Sequence, residues 1–178
     1  MKKMFACLFS LVLLVPPVTH LGTFGRAKLR DVPACGLSAI FPWASMEGGG
    51  TAGSTYYSIE LSNIGPETCT LVGFPGIIGY TDANTVTGLP AAHTGHPSVV
   101  ILAPMATAHV LLRVTDVGAL GCPTVGADTL IVRPPGYPLI VKGESDQLGF
   151  YPLRLCTNKV TMSTTPVELG TGIPAYSS

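Results

Sequence analysis

The sequence predicts an all-β domain, a sandwich of about seven to nine short strands closed by two disulfides. Three observations predict it. Two stretches alternate apolar and polar residues with period two, while no helical period persists past two turns. The 21 glycines and 16 prolines follow no repeat and fall between short apolar runs, where they supply turns. Four cysteines lie beyond an apolar leader, an even set in a chain laid out for export. Seven to nine short strands with Gly/Pro turns between them point to the immunoglobulin-like class of sandwich.

Taken in order, Lys2 and Lys3 precede an apolar run from Met4 to Val15, which Pro16-Pro17 ends. That is the layout of a secretory signal peptide, too short for a stable membrane anchor. Residues 1–27 are read as signal and loose lead-in, with cleavage expected between about Pro17 and Lys28. Residues 35–165 are read as the sandwich and 166–178 as a tail. No later segment is apolar over a membrane-spanning length. Without Lys2 and Lys3 the chain carries eight basic and ten acidic residues, a formal charge of −2. Scattered charge of that size offers no footprint for nucleic acid. A hydrophobic content of 47% with only 11% charged residues supports a packed core and argues against disorder.

Leu37 to Phe41 is a first short strand, and Gly48-Gly49-Gly50 a loop; a phosphate-binding use would need a strand before it and a helix after. Tyr57, Ile59 and Leu61 then share one face of a strand, with Ser58, Glu60 and Ser62 on the solvent face. Asn63-Ile64-Gly65-Pro66 is a turn. Cys69 to Val72, Ile77 to Tyr80 and a buried Val99 to Leu102 are short strands. Ala106, Ala108, Val110, Leu112 and Val114 define a second long strand, whose solvent face holds His109 and Arg113. An ion pair between Glu60 and Arg113 is the expectation if the two long strands are neighbours. Asp116 to Asp128 reads as a loop, and Thr129 to Val132, Leu139 to Val141, Tyr151 to Leu155 and Val160 to Thr164 as further strands.

Cys7 leaves with the leader, so Cys35, Cys69, Cys122 and Cys156 make two disulfides with three possible pairings. Cys35–Cys69 with Cys122–Cys156 is favoured, because each closes a loop of about 35 residues worth about 3–4 kcal/mol. No C-x2-C pair is present, which argues against structural zinc. The run YYSIELSNIG, CTLVGFPG, VVILAP, LIVRPPG, with a cysteine before and after, resembles the DUF4232 family, exported domains of unassigned function found mainly in actinobacteria. The resemblance covers Cys35 to Thr164 and is most specific at Asn63, Gly65, Cys69-Thr70-Leu71 and Gly73-Phe74-Pro75-Gly76. It implies an exported, disulfide-bonded β-sandwich and carries over no catalytic residue. The family often has Pro-Gly where this chain has Pro104-Met105.

Chemistry-bearing patterns are sparse. His93 and His96 flank Thr94-Gly95 in a loop, an incomplete ligand set. There is no G-x-S-x-G elbow. No catalytic residue, metal ligand or cofactor is expected. Trp43 and Tyr56 are the candidates for a recognition surface, since exposed aromatics anchor sugars and protein partners, and the alternative for Trp43 is a ring that plugs one end of the core. The expected function is a secreted, non-catalytic module that binds an extracellular protein or glycan or associates with the cell envelope. Beside it stand an extracellular hydrolase of cell-wall or other polymers and a small exported metal-binding protein.

Overall fold

A computed structural model describes residues 32–45, 48–81, 85–139 and 147–172. The expected signal region with Cys7, the expected turn at 82–84 and most of the Leu139 to Val141 run lie outside the described residues. The strands are β1 (Ile40–Ala44), β2 (Gly49–Thr51), β3 (Ser54–Asn63), β4 (Cys69–Val72), β5 (Gly76–Tyr80), β6 (Val86–Thr87) and β7 (Ala92–His93). They continue with β8 (Val99–Leu102), β9 (Thr107–Thr115), β10 (Thr124–Arg133), β11 (Gln147–Cys156), β12 (Met162–Thr164) and β13 (Glu168–Leu169). Eight of these have four residues or more, and the other five are fragments of two or three.

The large sheet runs β1-β3-β9-β12-β7, with β2 added to β3 and β13 to β9. All its pairings are antiparallel except β12 with β7. A second sheet runs β11-β10-β5-β6, and β4 pairs with β8 alone. One core cluster draws on all three: Ile59, Leu61, Val110 and Leu112 meet Ile77, Leu130, Val132 and Leu155, with Leu71 and Leu102 beside them. Each such side chain contributes about 1.5–3 kcal/mol on burial.

Several local expectations are corrected. Leu37–Ala39 is a single 3-10 turn, and the strand begins at Ile40 and carries Pro42 within it. Proline is tolerated there because β1 ends the strand order of its sheet. The glycine loop forms β2, paired with the start of β3. β8 is buried only at Val100 and Leu102; Val99 is 52% exposed and Ile101 39%. The loop before Thr129 ends early, since β10 is already paired from Thr124.

Both disulfides have the favoured pairing, Cys35–Cys69 and Cys122–Cys156, each spanning 34 positions. Each ties hydrogen-bonded neighbours. Cys35 N–H donates to the Thr70 carbonyl at 3.0 Å, and Cys156 stands opposite Thr124 in the β10–β11 ladder. Neither pins one sheet to the other, as the disulfide of antibody domains does. The architecture is therefore stacked β sheets without the immunoglobulin-type bridge.

The SNIG turn is held by a buried amide. Asn63 Nδ2 donates to the carbonyls of Glu67 (2.8 Å) and Leu102 (3.1 Å), and its Oδ1 accepts from Gly65 N–H (3.0 Å). Its backbone exchanges bonds with the turn after β8, Asn63 N–H to Ala106 O and Met105 N–H to Asn63 O. In that turn Ala106 N–H closes on Ala103 O, and Met105 has φ 63. This is a type II turn, whose third position favours glycine, and it explains the family's Pro-Gly.

Two stability outcomes are expected. Asn63→Ala leaves two carbonyls and an N–H without their partner and should lower unfolding free energy by about 2–4 kcal/mol. Asn63→Asp should lose nearly as much, since it places a carboxylate against the same two carbonyls. Met105→Gly removes the left-handed strain of an L residue, less the entropy of glycine, and should raise stability by about 0.5–1 kcal/mol. Urea midpoints at unchanged slope measure all three.

Candidate functional site

Trp43 and Tyr56 lie on one outward face of the large sheet. Alternation along β3 turns Ile59 and Leu61 to the core and Tyr56, Ser58, Glu60 and Ser62 outward. Trp43 stands opposite Glu60, four residues along β3 from Tyr56, which is a separation of about 13 Å. The two aromatics therefore mark two stations of one face and do not touch through the sheet register.

The Trp43 station is a fixed aromatic. Its indole N–H donates to Ser62 Oγ at 2.8 Å, and that hydroxyl bonds Thr107 Oγ1 at 2.8 Å. Trp43 is 37% exposed, and Phe41, two residues earlier on the same side of β1, is 51% exposed. Tyr56 is half-buried between Gly49 of β2 and Arg113 of β9. Arg113 Nε donates to Ser54 Oγ at 3.0 Å. The expected Glu60–Arg113 ion pair does not form, because the register sets His109 opposite Glu60 and Arg113 opposite Tyr56.

Between these stations the face is covered at Glu60. Glu60 is 0% exposed although alternation turns it away from the core. Its Oε1 accepts from Ser58 Oγ (2.7 Å) and from Gly172 N–H (3.0 Å), while Oε2 is buried with no partner among the described residues. The cover is the segment after β12. It runs along β9 as β13, turns at Gly170 (φ 95) and passes over His109 to reach Glu60. His109 Nδ1 donates to the Gly170 carbonyl at 2.9 Å, and Gly170 N–H donates to Thr107 O at 2.9 Å. His109 Nε2 lies 3.9 Å from Glu168 Oε2. A Cβ on Gly172 would run into Ser58 Oγ and the His109 ring, so this strap requires glycine at its contact point. The fold thus extends beyond residue 165, with Val167 fully buried.

Serine, histidine and glutamate meet here, yet their protons are committed to structure. The Ser58 hydroxyl donates to the carboxylate, and the imidazole N–H holds a backbone carbonyl. A hydrolytic pair needs the hydroxyl bonded to the imidazole instead. His93 stacks on Phe74 with ring centroids 4.5 Å apart, and His96 is exposed. Among the described residues no three His, Cys, Asp or Glu side chains gather to hold a metal. Sequence reasoning missed the Glu60 strap, for which G-T-G at 170–172 is the only local signal. It also missed a cleft at the end of the sandwich, between the β3–β9 end and β11.

Among the described residues no helix is long and apolar enough to cross a membrane. No curated protein and no solved structure matches the chain. A family model described as a domain of unknown function matches residues 42–167, from the edge strand through the last buried valine. Asn63, Gly65 and the GFPG turn, where the likeness is most specific, fall within that match and hold the turns that set the sheets. By that match the chain belongs to the DUF4232 family.

Proposed function

We propose that this protein is an exported, non-catalytic binding module that docks an extracellular protein or envelope glycan on the outward face of its large sheet. Trp43 is the anchor, with Phe41 beside it and Tyr56 at the flank. The observation that carries the reading is the orientation of Trp43. An indole locked through Ser62 to Thr107 while a third of its surface stays in water is already placed for contact. Locking the ring beforehand lowers the entropy lost on binding, and aromatic anchors dominate small interfaces. Export is supported by the leader and by two disulfides, which persist in oxidising compartments. The non-catalytic reading is supported by the committed protons of Ser58 and His109.

The test is capture of envelope and culture components on the immobilised mature chain, followed by variant affinities. Trp43→Ala should weaken the captured partner by about 1–2 kcal/mol and Tyr56→Ala by a similar or smaller amount, with unfolding midpoints unchanged. Ser62→Ala keeps the ring but frees it, and should weaken binding less than Trp43→Ala. Hydrolysis of an envelope polymer, abolished by changing one acidic residue or histidine, would overturn the reading. So would zinc or copper retained stoichiometrically through dialysis.

A further inference from the structure

Strands β4 and β8 form a two-stranded sheet with one face in the core and one in water. Cys69, Leu71, Val100 and Leu102 point inward. Alternation turns Thr70, Val72, Val99 and Ile101 the other way, and the register sets Thr70 opposite Ile101 and Val72 opposite Val99. β13 lies beside β8 and brings the exposed Leu169 to the flank. Val72, Val99, Ile101 and Leu169 keep between 39% and 65% of their surface in water, on the order of 350 Å² together. Neither β4 nor β8 carries a charge. Neutral apolar sheet surface of this extent marks a site of association, since isolated sheets ordinarily protect themselves with charged side chains.

The polar groups around the face restrict how it can be covered. The outer edge of β4 is occupied by the segment before β1: Thr70 N–H donates to Pro33 O at 2.8 Å, and Cys35 N–H donates to Thr70 O at 3.0 Å. The Thr70 hydroxyl also donates to Pro33 O, at 3.2 Å. A further strand therefore cannot add at that edge, and what covers the face must pack on it through side chains. The face offers no charge and no aromatic ring to orient a foreign ligand.

We infer that a second copy of this chain covers it, in an isologous dimer packed sheet on sheet. With the twofold axis along the strands, Val72 meets the second copy's Val99, and the small Thr70 meets its Ile101. Large and small side chains then fill each other's rows. The area fits as well. A standard interface takes about 800 Å² from each partner, somewhat over half of it apolar, and this face supplies most of that share. None of its residues belongs to β1 or β3, so the inference stands apart from the Trp43 reading.

The experiment is sedimentation equilibrium of the mature, oxidised chain from ~1 to ~500 µM. The mass should rise from one chain to two, with half-association within about 1–100 µM. Val99→Lys and Ile101→Lys each bring two like charges, one per copy, into an apolar contact and should raise the dimer Kd at least tenfold. Val160→Lys changes a valine of similar exposure outside the face and should leave the Kd unchanged. Thermal unfolding at ~1 µM controls for folding, and either lysine variant carries the test should the other unfold. The inference is overturned by a one-chain mass throughout, whatever then covers the face. It is also overturned by a dimer that both face variants leave intact, or by one that Val160→Lys weakens equally. None of those outcomes bears on capture of a partner through Trp43.

Discussion

The Asn63 carboxamide is the interaction on which the rest depends. A buried amide with both of its ends bonded fixes three chain segments at once: the exit of β3, the approach to β4 and the end of β8. Buried polar groups of this kind are stabilising only when fully satisfied, so they admit one arrangement. That arrangement sets where β9 begins, and hence which residue of β9 faces which of β3. A shift of one position would exchange the core and outward sets of both strands. The Cys35–Cys69 bridge lies beside this knot and holds β4 to the segment before β1.

Around Glu60 the outward face of the large sheet behaves as a small polar interior. A carboxylate without solvent is destabilising unless hydrogen bonds replace its water, and Ser58 and the strap supply two. The aromatic station at Trp43 adjoins this covered zone, and the cleft lies beyond Tyr57 between the sheets. Cover, anchor and cleft are thus three consequences of one strand, β3: its outward middle, its edge partner and its inward beginning.

Legibility in the sequence followed what each signal measures. Alternation in β3 and β9 reports which side chains share a face, and there it was sufficient. It does not report what lies over a face, so Glu60 read as solvated. β2 has no pattern of its own, since Gly49 and Gly50 are strand residues only because β3 stands beside them. The start of β10 was hidden by Gly126, Ala127 and Asp128, which give no apolar period although β10 pairs with β11 on both sides of the irregularity between Ala127 and Thr129. The disulfide pairing was readable because the two short loops are the entropically simple solution. The cleft was not, because a bulge and a gap between sheets are properties of pairing rather than of any one segment.

The strap also orders events in time. Glu60 and the Gly172 N–H that covers it are 112 positions apart, and His109 waits 61 positions for the Gly170 carbonyl. In a chain that forms its pairings from the N-terminus onward, β3 can therefore pair with β9 before either cover arrives. Through that interval the carboxylate keeps its water and the free side of β9 stays open to any strand nearby. Closing the strap takes the Glu60 carboxylate out of water and pairs the Ala108–His109 stretch of β9 with β13.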